Sequence, residues 1–167
     1  MGERIGATPE LVAQVQGDLA RYSERLLHLF SFVPDEKLTW TPSPTAKSAL
    51  RIVGHCALTM DFFANVITGE DSESMPAPEQ FFQRLAEAEE NVTTRDEAVR
   101  LLKESATRLS EVVGTVTSEN IETTRRSPFG EIPLAFWIHQ GREQLAGHAG
   151  QLEYLQTIWG DLDNHFG

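Results

Sequence analysis

The sequence predicts an all-α protein built as a four-helix bundle. Three observations predict this class: four long segments with apolar residues at helical spacing, capping residues at their ends, and weak strand signals elsewhere. Each long helix has an apolar stripe to bury, and a four-helix bundle buries all of these stripes around one core. The length suits one domain with one sizeable core, so we assign residues 1–167 to a single domain.

The first predicted helix begins at Thr8, an N-cap residue placed before Pro9, and ends near Val33. Its apolar residues recur at helical spacing: Leu11, Val15, Leu19, Tyr22, Leu26 and Leu29. Residues 34–47 contain three prolines and no periodicity. We therefore expect a long ordered loop, which Trp40 anchors on the bundle.

The second predicted helix runs from about Ser48 to Thr68 and is apolar almost all the way round. A helix of this kind is central in a bundle or packs on a partner subunit. A polar, acidic loop follows over residues 69–78, and then a short amphipathic helix over residues 78–90.

The third long helix opens with a capping box, in which Thr94 is followed three residues later by Glu97. It continues at helical spacing to about Thr117. Residues 128–130 then form a turn, for which the sequence shows no accompanying strand pattern.

The last helix, predicted over residues 133–160, carries the most informative residue of the chain. Its apolar positions alternate in spacing between four and three residues: Leu134, Ile138, Leu145, Leu152, Leu155 and Trp159. Gly141 and His148 occupy the gaps in this seam, so His148 points into the bundle. A buried imidazole needs a hydrogen-bond or metal partner. Since His55 lies in the very apolar second helix, two inward histidines predict a metal site.

Gln144 and His148 lie four residues apart, a spacing that lets two side chains of one helix hold one ion. His55 on the facing helix completes a set of two imidazoles and one amide oxygen. The open position in such a set is typical of catalytic sites, where the ion acidifies bound water. Imidazole ligands favour transition metals such as zinc, nickel or cobalt over magnesium or calcium.

A satisfied core histidine is the competing interpretation of His148. Gln151 is as suited to a hydrogen bond with a neighbouring helix as to supporting a site. Cys56 follows His55 directly, and adjacent helical residues point about 100° apart. We therefore expect Cys56 to be a small buried apolar residue. His139 lies on the opposite helix face and is not expected to be a ligand.

Composition narrows the function classes. The formal charge of −11 argues against a nucleic-acid partner, because binding to phosphates requires an excess of Lys and Arg. We see no signal peptide and no apolar run long enough to span a bilayer, so we expect no membrane partner. A single cysteine cannot form an internal disulfide, which fits a cytoplasmic location.

Three segments of the chain resemble the DinB/YfiT-like superfamily of metalloenzymes. Residues 38–42 resemble the family's loop after the first helix, and residues 49–55 resemble a helix-two segment that ends in the first ligand histidine. Residues 128–130, followed by a helix containing residues 148–152, resemble the final helix. The order and spacing match over nearly the whole chain.

The resemblance implies a bundle of up-down-down-up topology, often a homodimer. It also implies a divalent metal, commonly nickel or zinc, on His55, Gln144 and His148. The family usually has His at position 144, and thiol-dependent members have Glu there, so Gln departs from both patterns. Characterised members are largely transferases or isomerases that use a low-molecular-weight thiol, in which a metal-bound thiolate attacks an electrophilic small molecule.

Three hypotheses for the function remain open at this point. The first is a metal-dependent enzyme acting on a small molecule, either a thiol-dependent S-transferase or isomerase or a hydrolase. The second is a catalytically degenerate bundle that binds a small molecule or a partner, which the Gln144 departure motivates. The third is a structural dimerisation module, which the all-round apolar second helix motivates. The sequence assigns no catalytic residue and no substrate.

Overall fold

The computed structural model describes residues 9–70, 73 and 75–166, which form a helical bundle with one β-hairpin. The helices are α1 (Pro9–Ser31), α2 (Ala49–Thr68), α3 (Pro78–Glu90), α4 (Arg95–Val113) and α5 (Leu134–Ile158). The strands are β1 (Thr124–Ser127) and β2 (Gly130–Pro133), and a short 3-10 turn (Asp35–Lys37) lies in the first loop. The four long helices pack in the cyclic order α1, α4, α2, α5.

Ion pairs between α1 and α5 show that these two helices run in the same direction. Arg142 contacts Asp18 at 3.1 Å, and one segment further along both helices Arg25 contacts Glu153 at 2.5 Å. Residue numbers therefore increase together along the pair.

The α1–α4 and α2–α5 pairs run antiparallel, while the remaining neighbours, α2 and α4, run parallel. Gln16 on α1 donates to the carbonyl of Ser110 on α4, at 2.8 Å, while Arg95 at the start of α4 donates to Phe30 near the end of α1. In the same way, the aromatic contact between Phe63 of α2 and Trp137 of α5 joins the end of one helix to the start of the other. With α1 and α5 parallel, this is the up-down-down-up topology, so the predicted all-α four-helix bundle is confirmed.

The central helix of the bundle is α2, which packs against α4, α5, α3 and α1. With 20 residues and a mean hydropathy of 1.3, it is long and apolar enough to cross a membrane, so the expectation that no run reaches this length is wrong. However, 67% of its most apolar 18-residue window is buried inside the bundle. Burial on nearly all sides explains why its sequence is apolar all round, without a partner subunit.

Side-chain caps fix the starts of two helices where the sequence predicts them. Ser48 accepts a hydrogen bond from the backbone N–H of Arg51 at 3.2 Å. Thr94 accepts one from the N–H of Glu97 at 3.3 Å, and the Glu97 carboxylate accepts from the N–H of Thr93 at 3.2 Å. The capping box is thus present, with its return bond shifted one residue towards the N-terminus.

Other boundaries differ by a few residues. α4 ends at Val113 and not near Thr117, because the chain tightens into a turn in which Val116 becomes buried. β-branched residues in this stretch lose rotamer freedom in a helix, which favours the earlier end. The N-cap prediction at Thr8 lies outside the described residues.

The hairpin of β1 and β2 is a feature that the sequence pattern missed. Ser127 and Gly130 face each other at its turn, where the Ser127 hydroxyl donates to the Gly130 carbonyl at 2.9 Å. Gly130 has φ +105°, a left-handed conformation that favours glycine. Each strand has four residues that are mostly exposed, so no alternation of apolar and polar residues marks them.

The loop between α1 and α2 is anchored as predicted. The Trp40 ring packs edge-on against Trp159, with ring centres 5.9 Å apart. The carbonyl of Leu38 accepts from the N–H of Leu50 at 3.0 Å, which ties the loop to the first turn of α2. This loop therefore holds a defined position beside the C-terminal half of α5.

The four long helices approach one another at Gly141 of α5. A Cβ placed there would lie 2.5 Å from Leu109 of α4, 2.7 Å from Leu19 of α1 and 3.2 Å from Met60 of α2. One side chain from each of the other three helices thus occupies the space that any larger residue would need.

We expect Gly141→Ala to destabilise the protein by about 1–2 kcal/mol, because overpacking costs about 1–3 kcal/mol and alanine recovers up to about 1 kcal/mol of helix propensity. Gly147→Ala is the matched control, since nothing lies within 4 Å of a Cβ at Gly147. It should stabilise by about 0.5–1 kcal/mol. Urea unfolding measures both, and a stabilised Gly141→Ala would contradict the close approach.

Candidate functional site

Residues of three helices meet where α2, α3 and α5 pack together. His55 lies on α2, and its ring centre lies 4.8 Å from that of His148 on α5, with the ring planes at 69°. Glu89, in the last turn of α3, contacts the His55 ring at Nδ1. Its Oε1 lies 2.6 Å from that nitrogen. The His55 side chain is 14% exposed, so this contact is largely sheltered from solvent.

Glu89 is the buried residue of α3, with a side-chain exposure of 2%. Besides His55, it accepts hydrogen bonds from Lys47 Nζ at 2.6 Å and from Arg51 Nε at 2.7 Å, both on Oε2. Burial of an isolated carboxylate is costly, and only such pairing with several donors makes it tolerable. The three donors come from α2 and the residue just before its N-cap, so Glu89 ties α3 to the start of α2.

These contacts determine the charge of Glu89. Burial alone raises the pKa of its carboxyl, but the hydrogen bonds from His55, Lys47 and Arg51 together outweigh burial and lower the pKa to about 2. Glu89 is therefore an anion at neutral pH and can only accept hydrogen bonds. It follows that Nδ1 of His55 carries the proton and that Nε2 of a neutral His55 presents a lone pair.

His148 contacts two amide side chains of its own helix. Its Nδ1 lies 2.8 Å from Oε1 of Gln151, and its Nε2 lies 3.0 Å from Oε1 of Gln144. Burial lowers the pKa of His148, which favours the neutral ring with a single N–H. If Nδ1–H donates to Gln151, then Nε2 of His148 and Oε1 of Gln144 are two acceptors facing each other.

Two arrangements resolve this conflict of acceptors. The Gln144 amide can turn by 180° about its last bond and donate its NH₂ to Nε2. Alternatively, a cation can accept both lone pairs together with that of His55. Two imidazoles on one tetrahedral ion have ring centres on the order of 5 Å apart, given metal–nitrogen bonds of about 2.0–2.1 Å, and the 4.8 Å between His55 and His148 fits this arrangement.

The candidate metal ligands are therefore two imidazoles and one neutral amide. Within residues 9–70, 73 and 75–166, no three His, Cys, Asp or Glu side chains are grouped so that they could hold a metal ion. A third protein ligand has to be the oxygen of Gln144. This donor set suits a transition metal by ligand type, while the absence of an anionic ligand weakens its hold.

The structure thus places the three sequence-predicted residues side by side, with His148 in contact with both Gln144 and His55. Gln151 supports the His148 ring within α5 and does not reach a neighbouring helix. Cys56 is fully buried, and burial raises the pKa of its thiol, as expected for a small apolar residue.

Sequence reasoning missed Lys47, Arg51 and Glu89. One signal was available: Arg51 and His55 lie four residues apart on one face at the start of α2, and Lys47 precedes the helix by two residues. Such a group of donors favours a nearby carboxylate. The sequence does not indicate which glutamate supplies it.

A cleft of about 440 Å³ opens beside His148, a volume typical of small-molecule sites. Its polar side chains include Lys47, His148, Gln151 and Tyr154. Larger clefts on the surface, such as the 610 Å³ one between Arg21 and His28, do not touch either histidine of the site. The 440 Å³ cleft can therefore present a ligand to His148.

Fold and site together define a four-helix bundle of up-down-down-up topology with a two-histidine centre between α2 and α5. A family model described as the DinB superfamily matches residues 18–152, and the chain therefore belongs to that superfamily. This confirms the family that the sequence motifs resemble. No curated protein matches the chain significantly.

Solved structures show the same fold at low sequence identity. YfiT from Bacillus subtilis, described as a probable metal-dependent hydrolase with an unusual four-helix bundle topology, has a TM-score of 0.70 and 16% identity, covering 96% of this chain and 94% of that one. YjoA, a DinB-like protein from Bacillus subtilis, has a TM-score of 0.65 and 16% identity, covering 92% and 96%. The four-helix bundle protein TT2238 has a TM-score of 0.63 and 22% identity, covering 86% and 98%.

We expect Glu89→Gln to destabilise the protein at pH 7 by about 2 kcal/mol. Removing one partner of a buried ion pair costs about 3–5 kcal/mol, and partial exposure of Lys47 and Arg51, at 32% and 36%, reduces this cost. The pKa of Glu89 is lowered from 4.5 to about 2 on folding, so its contribution is complete above pH 4.5 and is lost as the pH falls towards 2.

Urea unfolding of the wild type and of Glu89→Gln at several pH values measures this effect. Glu90→Gln is the control: because Glu90 is exposed, its replacement should change the stability by no more than about 0.5 kcal/mol. The stability gap between wild type and Glu89→Gln should narrow as the pH falls from 4.5 to about 2. A gap that is constant over this range would show that Glu89 is not held as a stabilised anion.

Proposed function

We propose that this protein is a metal-dependent hydrolase of a small-molecule substrate, with a divalent zinc or nickel ion held by His55, Gln144 and His148. The observation that carries the proposal is the pairing of Glu89 with Nδ1 of His55 beside His148. Histidines that bind metals commonly donate their other ring N–H to a carboxylate, which fixes the tautomer and raises ligand basicity. The fold likeness to YfiT, described as a probable metal-dependent hydrolase, supports the same class.

When bound, the divalent ion supplies Lewis acidity, which polarises a carbonyl group and acidifies water. The chain itself supplies orientation. Glu89 holds the proton on Nδ1 of His55, and Oε1 of Gln151 accepts a hydrogen bond from Nδ1–H of His148, so Nε2 of each ring keeps the lone pair that a metal would use. Lys47 and Arg51 keep Glu89 ionised, which keeps His55 in this tautomer.

The cleft beside His148 supplies the substrate site in this proposal. Its walls include Ile52 of α2 and Leu155 of α5, which exclude water from one side of a bound molecule. A substrate seated there lies against His148, which lines the cleft. The thiol cofactor, the homodimer and the cytoplasmic location that the sequence implies stay predictions.

A second candidate is a degenerate, metal-free bundle that binds a small molecule. A specific observation favours it, because both nitrogens of His148 already have partners in Gln144 and Gln151. With the Gln144 amide turned to donate, His148 is a half-buried histidine with both nitrogens satisfied, and it needs no metal. The two candidates differ in metal content and in the effect of adding a stronger ligand.

Metal content after loading tests the first candidate directly. Protein purified without an affinity tag, incubated with zinc or nickel and then desalted, should retain about one equivalent by elemental analysis. His148→Ala should retain less than about a tenth of an equivalent, because it removes one of only two imidazole ligands. His139→Ala, on the same helix, is the control and should retain the wild-type content. A metal-free wild type would rule out the hydrolase proposal.

Ligand strength at position 144 separates the candidates further. If the site binds metal weakly, Gln144→His should raise zinc affinity by about tenfold or more, because imidazole is a stronger zinc ligand than an amide. Glu89→Gln should lower it by about 10- to 100-fold, as loss of a supporting carboxylate does. In a degenerate site, Gln144→His should leave zinc affinity unchanged. Competition titration with a chromogenic chelator measures all three proteins.

A further inference from the structure

The charges around Glu89 do not cancel. Lys47 and Arg51 are two cations paired with one carboxylate, and the two histidines of the site are neutral when they present lone pairs. Among the residues that the structure describes, no other ion pair of Lys47 or Arg51 offsets the second positive charge next to the site, in a protein whose formal net charge is −11. A local excess of this sign attracts anions and repels a second cation.

Lys47 is the residue that brings this charge into the cleft. Its ammonium group has three N–H donors, of which the Glu89 contact at 2.6 Å uses one. The Lys47 side chain is 32% exposed and lines the 440 Å³ cleft together with His148. Its charge also acts on His148, whose pKa it helps to lower. Lys47 can therefore donate to a ligand in the cleft without leaving Glu89.

The rest of the cleft is mainly apolar, and none of the described residues that line it is acidic. The apolar side chains come from the loop before α2, from α2 and from the last turns of α5: Pro42, Ile52, Leu155 and Ile158. Tyr154, whose side chain is largely exposed, stands at the mouth. A wall of this kind fits a hydrocarbon or aryl body, and Lys47 supplies the polar group that fixes its orientation.

We propose that the cleft binds a small molecule consisting of an apolar body and a carboxylate or similar monoanionic head, with the head held by Nζ of Lys47. The inference deepens the proposed function, since it names the substrate class of that site. Held in this way, the ligand lies along the cleft with its head near Glu89 and its body against His148 and Ile52. Binding itself does not need the metal, so it can be measured separately.

Octanoate, octan-1-ol and octylammonium differ only in the head group and serve as probes. Calorimetric titration of EDTA-treated protein removes any contribution of a metal to carboxylate binding. Octanoate should bind about tenfold or more tightly than octan-1-ol, because a charge-assisted hydrogen bond replaces a neutral one. Octylammonium should bind more weakly than the alcohol. Equal affinities for octanoate and octan-1-ol would overturn the assignment of the head group, and no binding of any probe would overturn the cleft as a ligand site.

Variants of Lys47 assign the head-group contact. Lys47→Gln should remove the preference for octanoate over octan-1-ol, and Lys47→Arg, which keeps the charge, should retain it. Lys103→Gln, on α4 away from this cleft, is the control and should behave as the wild type. A preference that survives in a folded Lys47→Gln protein, judged by its circular dichroism, would exclude Lys47. If Lys47→Arg retains the preference for octanoate, then its loss in Lys47→Gln results from removal of the positive charge.

The metal measurements keep this inference apart from the proposed function. Octanoate preference in a wild type that retains no zinc or nickel would support the anion site and reject the hydrolase. A wild type that retains one equivalent of metal but shows no preference for octanoate would support the metal site and reject the anion site.

Discussion

The buried carboxylate of Glu89 is the contact on which the arrangement of the site depends. It joins the last turn of α3 to the start of α2 through three hydrogen bonds, and it sets the tautomer of His55 through one of them. Because a buried anion without donors is strongly destabilising, the position of α3, the ionisation of Glu89 and the lone pair on His55 form one coupled unit. A change in any of the three affects the others.

The same unit creates opposing electrostatic demands. Lys47 and Arg51 stabilise Glu89, but their excess positive charge lowers the affinity of the two-histidine centre for a cation, and Gln144 adds no negative charge to restore it. An anionic molecule in the neighbouring cleft would compensate that charge. Metal and anionic substrate would then each favour binding of the other, because each reduces the charge that opposes its partner.

Helix packing brings the two histidines to one level of the bundle. At Gly141 the helices approach closely, and Met60 of α2 lies against this point. On α5, His148 lies about two turns after Gly141. On α2, which runs antiparallel to α5, His55 lies about a turn and a half before Met60. Both histidines are therefore displaced in the same direction from the common contact, which places their rings 4.8 Å apart.

The sequence by itself determined whatever depends on neighbours a few residues apart: the long helices, the capping box at Thr94, and the stripe that places His148 and Gln144 on one face of α5. It also predicted His55 as the facing histidine, because an apolar helix must be central. Only the tertiary structure decided that Glu89, and not Glu87 or Glu90 of the same acidic run, is buried against α2. That choice depends on the angle and register at which α3 packs, and helical spacing does not encode a contact between segments so far apart. The hairpin at Gly130 was decided in the same way, since its short exposed strands are held by backbone pairing and a turn and leave no apolar pattern in the sequence.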